Sequence, residues 1–135
     1  MEGLFKMNTP DDLFYTQNHE WIKVEDDKAY LGITDYAQYN LGDIVFVELP
    51  ELDIQVEMEE AIAVVESVKA VSSIYAPISG TILEVNEELE DAPELLNEDP
   101  YENHIAIISL DDDSELDELM SATDYDAYCA KLDKE

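Results

Sequence analysis

Short apolar runs, broken repeatedly by turn-forming residues, dominate the chain up to about position 110. EWIKV (20–24) and KAYLGI (28–33) carry strand-forming residues, with Asp26-Asp27 between them as a turn, so residues 20–33 are predicted to form a hairpin. Thr34 falls at the N-cap of a short helical stretch, DYAQYNL, and Gly42 sits where a residue in the left-handed αL conformation would end it. IVFVEL (44–49) reads as a strand closed by Pro50. Another strand is expected within 55–66, centred on 61–65, and two more at 71–76 and 81–86, joined by the turn Pro77-Ile78-Ser79-Gly80. PELLN (93–97) suits a single helical turn before Pro100, and HIAIISL (104–110) is the last predicted strand. Short strands at frequent intervals point to an all-β sandwich or barrel.

The tail has another period. Ser114 opens S-E-L-D, close to a capping box, and Leu116, Leu119 and Met120 follow on one helical face. Thr123 is placed as the cap of a second helix, in which Tyr125, Tyr128, Cys129 and Leu132 form one apolar stripe. Two short helices packed on the sheets are expected here. Cys129 is then a buried small hydrophobe rather than a nucleophile, with no basic residue just before it to activate the thiol. The acidic runs 87–91 and 111–113 read as solvated loops, and neither matches a calcium-binding loop.

Composition narrows the function. The 135 residues suit one domain, read as a core of about 15–110 with a helical extension over 111–135. An apolar content of 46% argues against a disordered acidic tail. Six Lys and no Arg stand against 35 acidic residues, a formal net charge of −29. Nucleic-acid binding and adsorption to an anionic membrane are excluded on that charge. No apolar run approaches the roughly 20 residues of a membrane span, and residues 1–10 do not read as a secretory signal. The expected location is a bacterial cytoplasm or an organelle matrix. Self-repulsion favours a monomer at low salt. One cysteine allows no internal disulfide, and His19 and His104 match no zinc spacing, so no metal site is expected.

Against that charge, Lys69 stands alone between the apolar runs IAVVESV and AVSSIYA. Both flanks read as strands, which puts the lysine at or near a hairpin tip, where a modifying enzyme could reach its amine. An ordinary surface lysine in a β-turn fits the same spacing. Schiff-base or acid–base chemistry requires burial or a nearby cation, and Glu66 and the acidic chain supply the opposite.

GDIVFVELP (42–50), AVVESVKA (63–70) and YAPISGTILEVNEEL (75–89) together strongly resemble the H protein of the glycine cleavage system. NHEW (18–21), LGITDYAQ (31–38) and NEDPY (97–101) extend the resemblance over about 15–108. It implies a mainly β, lipoyl-domain-like fold, a flattened barrel or sandwich of two antiparallel sheets with short helices at the N and C termini. It implies lipoic acid joined by an amide bond to Lys69. It also implies a non-catalytic carrier that shuttles an aminomethyl group from glycine decarboxylase (P protein) to a folate-dependent aminomethyltransferase (T protein). Dihydrolipoyl dehydrogenase (L protein) would reoxidise the dithiol, and a lipoate ligase or octanoyltransferase would load the lysine. Val68 and Ala70 flank Lys69 where biotin carriers have methionines, so biotin is not expected.

The family holds the aminomethylated arm in a cleft where an acidic residue can bind the ammonium. Glu20 is the candidate, with an ordinary strand-edge carboxylate as the alternative; His19 beside it lines the same cleft or serves as a capping or packing residue. Ser73 occupies a cleft position where the family often has an acid. Two further departures stand out. Pro100-Tyr101-Glu102-Asn103-His104-Ile105 replaces P-Y-x-x-G-W, which leaves a reshaped cleft wall or docking surface open. Met58-Glu59-Glu60 lacks the usual turn glycine, which leaves another turn geometry open, since glutamate resists positive φ. None of these departures touches Lys69. Other roles compatible with an intact ESVKA are a lipoyl donor to other complexes and a dithiol carrier of another cargo such as a sulfur species. An unmodified interaction module sits less well with that motif.

Overall fold

Strands β2 (Glu20–Glu25) and β3 (Lys28–Ile33) form the predicted hairpin, pairing from Glu20↔Ile33 to Glu25↔Lys28. Asp26 turns the chain at φ 56°, a left-handed conformation that a short polar side chain tolerates better than most. The computed structural model describes residues 8–133, so residues 1–7 of the segment tested for a secretory signal lie outside it. Before the hairpin, β1 (Phe14–Tyr15) pairs with β2. After it come α1 (Asp35–Leu41), β4 (Ile44–Glu48), β5 (Gln55–Val56), β6 (Ala61–Ser67), β7 (Val71–Tyr75) and β8 (Gly80–Val85). Helices α2 (Glu88–Asp91) and α3 (Leu95–Glu98) precede β9 (Ala106–Ser109), a 3-10 turn (Asp113–Glu118) and helix α4 (Ala122–Asp133).

The strands form two antiparallel sheets, one ordered β1-β2-β3-β9-β8-β5 and the other β4-β6-β7. The fold is mainly β, as expected; among the described residues neither sheet closes into a barrel. The strand expected within 55–66 and centred on 61–65 is β6, and a two-residue strand, β5, precedes it. The chain turns at Met58-Glu59, so β5 joins β8 while β6 lies between β4 and β7. Glu59 makes this turn at φ 74°, a positive φ that a glycine would favour. Its N–H donates to the Ala76 carbonyl at 2.7 Å, which holds the turn against β7's end.

Alternation decides which face is buried. On β6, Ala63 and Val65 enter the core, while Ile62, Val64 and Glu66 point outward and are half-buried. The main core lies between the sheets, with Ile22, Leu31, Ile33, Val47, Val65, Ile82 and Ile108 among its members. Burying each such side chain contributes roughly 1.5–3 kcal/mol. A second cluster of Leu13, Tyr15, Trp21, Ala122, Tyr125 and Cys129 attaches α4 to β1 and β2. Cys129 is buried there, in keeping with its reading as a small hydrophobe. Trp21 lies across Gly32, its register partner; a Cβ on Gly32 would stand 2.5 Å from the indole, so only glycine admits the ring.

Local details differ from the sequence reading. Thr34 caps α1 as predicted, its hydroxyl accepting from the Ala37 N–H at 3.2 Å, and Gly42 ends the helix at φ 78°. Its ψ of −154° lies outside the αL region, because the chain extends directly into β4. Residues 87–91 are not wholly loop: α2 buries Leu89 and leaves its acids in water. In the tail, Asp112 replaces Ser114 as the cap, accepting from the Ser114 N–H and hydroxyl at 3.0 and 2.6 Å. Ser121 replaces Thr123: its hydroxyl accepts from the Asp124 N–H at 3.2 Å, starting α4 earlier.

Candidate functional site

Lys69 occupies the turn of residues 68–70 that joins β6 to β7, at the hairpin tip expected for it. Ser67 staples this turn. Its N–H donates to the Ala70 carbonyl at 2.8 Å, and its hydroxyl accepts from the N–H groups of Lys69 and Ala70, both at 3.1 Å. The Val68 N–H donates to the Asp43 carbonyl at 3.0 Å, tying the tip to the segment between α1 and β4. That segment is held in turn by Asn97, whose side-chain amide donates to the Gly42 carbonyl and accepts from the Ile44 N–H, both at 2.9 Å.

The lysine side chain is exposed and passes over Gly42, where an added Cβ would lie 3.3 Å from its Cε. Gly42 is favoured here by its positive φ, while the exposed end of the lysine can shift from a Cβ by the few tenths of an ångström needed. Among the described residues Lys69 makes no ion pair, and the ion pair seen is Lys23–Glu25 at 3.3 Å.

Beside the tip is a depression of about 310 Å³ lined by Asn18, His19, Tyr36, Ala37, Asn40, Leu41 and Ser72. Helix α1 forms one wall and Ser72, on the core-facing side of β7 opposite Val65, another. A larger cavity of about 470 Å³ holds Glu20, Thr16, Glu59, Tyr75 and Glu118; Asn18 lines both.

Glu20 is no strand-edge carboxylate in water: it is 1% exposed. Its carboxylate accepts from the Thr16 hydroxyl at 2.8 Å and from the Tyr75 N–H at 2.9 Å. Burial drives its pKa up to about 7; the Tyr75 and Thr16 hydrogen bonds work against this and repulsion from Glu59 adds to it. No cation balances it among the described residues. His19 lines the depression beside the tip, away from Glu20's cavity, and also packs. Its ring stacks on Tyr36 at 4.6 Å, and Nδ1 lies 2.7 Å from the Tyr125 hydroxyl. Burial lowers its pKa, which favours the neutral ring.

Ser73 is exposed on the outer face of β7, the opposite side from Ser72, so it is brought into neither depression. Residues 100–105 line neither one; instead the Pro100 carbonyl accepts from the Trp21 indole N–H at 3.2 Å. Sequence reasoning missed Asn18, Ser72, Asn97 and the pair Ala37 and Leu41. The last two, one helical turn apart on α1, carried a signal in their spacing. Asn97 carried none, since its partners lie more than fifty residues away in the chain.

Comparison with known proteins agrees with this geometry. The family model described as "Glycine cleavage H-protein" matches residues 13–132. The glycine cleavage system H protein of Syntrophomonas wolfei is 53% identical over 125 residues, 93% of this chain and 96% of the relative. That of Clostridium botulinum strain Hall is 56% identical over 129 residues, covering 96% and 99%. The crystal structure of a glycine cleavage system H protein from Mycobacterium marinum superposes with a TM-score of 0.77 at 34% identity, over 91% of this chain and 98% of that one. With a hairpin-tip lysine, a sandwich of two antiparallel sheets and matches over nearly the whole length, the chain belongs to the glycine cleavage H-protein family.

Proposed function

We propose that the protein is a non-catalytic carrier, spanning 1–135 as one unit, that bears lipoic acid in amide linkage to the Nζ of Lys69. When bound, that group supplies a dithiolane able to accept an aminomethyl group from glycine decarboxylase, yield it to the folate-dependent aminomethyltransferase and be reoxidised by dihydrolipoyl dehydrogenase. The observation carrying the proposal is the exposure of Lys69 on a turn stapled by Ser67, beside an open depression. The residues present fit the group: a reachable amine and a wall of Ala37, Leu41 and Tyr36 suited to an alkyl chain.

Each part of the site has a task in this reading. The turn presents the amine to the loading enzyme, a lipoate ligase or octanoyltransferase, at a constant angle. The depression shelters the arm and limits water. Asn18 joins it to the cavity of Glu20, whose carboxyl pKa is raised by burial; an incoming ammonium would favour its ionised form. This favours a cationic aminomethyl cargo over a sulfur species. Tethering raises the local abundance of the cargo at each partner, and the acidic surface acts mainly on encounter rate with basic partner rims.

Intact-mass analysis of protein from lipoate-replete cells tests the proposal. A single lipoyl adduct is expected, absent in Lys69→Arg, whose circular dichroism and unfolding midpoint stay those of the parent. An unmodified lysine under those conditions, or loss of folding in the arginine variant, overturns it.

A further inference from the structure

Four apolar side chains near the lysine tip are exposed to a degree that stability does not explain: Val71 at 69%, Val68 at 67%, Val45 at 54% and Phe46 at 48%. They are neighbours. Phe46 and Val71 both pair with Glu66, one from each side, so Phe46, Glu66 and Val71 make a row across the outer face of the β4-β6-β7 sheet. Cross-strand partners stand ~5 Å apart. Val45 joins them because β4 carries an irregularity between Ile44 and Phe46, which leaves two successive residues exposed. Val68 is on the tip beside Lys69, its N–H bonded to Asp43 just before β4. Asp43 and Glu48 border the set, and Glu66 sits within it between Phe46 and Val71.

Resting on the carrier reading, we propose that this apolar collar is the docking footprint of the enzyme that acylates Lys69, and not of the enzymes that work on the loaded arm. The argument is one of reach. The Nζ of a lysine lies on the order of 6 Å from its Cα at ordinary bond lengths. An enzyme acting on that nitrogen must press its active-site mouth against the tip, over Val68 and the residues beside it. An enzyme acting at the far end of a lipoylated lysine has no such need. The collar also lies on the outer face, while the depression that shelters the arm opens on the side of Ser72, so docking here leaves that depression free. The partner surface it fits is apolar, with lysine or arginine at its rim opposite Asp43 and Glu48 and one basic or hydrogen-bond-donating group within it opposite Glu66.

The test compares two steps in the same variants. The double variant Phe46→Thr/Val71→Thr places β-branched residues on exposed strand positions, so the fold survives. Steady-state lipoylation of the unloaded protein by a lipoate ligase, with ATP and lipoate, is expected to show KM for the carrier raised about tenfold with kcat within about twofold. The same variant, loaded to completion with excess ligase, should support glycine–bicarbonate exchange by glycine decarboxylase at the parent rate. Leu83→Thr, an exposed apolar residue outside the collar, should leave both steps unchanged. Unchanged lipoylation in the double variant, an equal loss in both steps, or an equal loss in Leu83→Thr overturns the proposal. A parent protein that the ligase cannot load overturns the carrier reading itself, and this inference with it.

Discussion

The carboxylate of Glu20 accepts a hydrogen bond from the backbone N–H of Tyr75 at 2.9 Å, so a side chain of the six-stranded sheet is bonded to the end of a strand in the three-stranded one. This single contact bridges the layers beside the cavity, and it does so with an acid that has no cation to balance it among the described residues.

The consequence is a pH dependence of stability. Glu20's pKa in the folded protein, about 7, lies above its ordinary 4.5. Below 4.5 both states hold the proton. Between 4.5 and 7 the unfolded chain has released it and the folded one has not, so stability falls as pH rises, by roughly 3 kcal/mol at most. Glu20→Gln removes this slope; its amide oxygen can still accept from Tyr75, and the acceptor facing Thr16 is lost. Denaturant unfolding at pH 5 and pH 8 should show the gap between parent and variant closing or reversing at the higher pH. Parallel profiles would show that the carboxyl is not held protonated.

Glu59 turns the chain at φ 74° with its side chain exposed. A non-glycine residue in this conformation costs about 1–2 kcal/mol, part of which a glycine returns as chain entropy. Glu59→Gly should therefore stabilise the protein by roughly 1 kcal/mol, a rise of about 4 °C in Tm. It also removes the carboxylate that raises Glu20, so Glu20's titration, followed by carboxyl NMR shifts, should move to lower pH. A lower Tm would show that the Glu59 side chain makes up for its backbone strain.

Tyr125 joins α4 to the site. Its hydroxyl lies 2.7 Å from both Thr34 Oγ1, the cap of α1, and His19 Nδ1, while its ring stacks on Tyr15 at 4.8 Å. Tyr125→Phe keeps the stacking and leaves the buried Thr34 and the half-buried His19 each short of one partner, at a cost of roughly 1–3 kcal/mol. The expected result is a lower unfolding midpoint together with a changed His19 imidazole shift. An unaltered imidazole signal would separate His19 from α4.

Strands were legible wherever alternation or turn chemistry acts locally. The 20–33 hairpin and the Thr34 cap depend on residues within a few positions of one another, and the structure repeats them. Within 55–66 the strand centred on 61–65 and the turn at Met58-Glu59-Glu60 were legible; the two-residue β5 before them was not, because its pairing partner β8 is distant in the chain. The caps in the tail slipped because Asp112 and Ser121 compete with nearby residues of equal capping ability.

The resemblance carried by ESVKA and its neighbours, not spacing, marked Lys69 as the candidate attachment residue, but its place at a hairpin tip was legible from the chain alone. The same is true of the mainly β class and of the apolar stripe in the last helix. Which residues surround the lysine was decided by the tertiary structure. Ser72 and Ser73 are chemically identical, and only the pairing of Val65 with Ser72 turns one toward the depression and the other to water. Burial of Glu20 likewise depends on Tyr75, fifty-five residues on. Local propensity determines what an element is; the face it shows and the solvation of its charges follow from packing against distant parts of the chain.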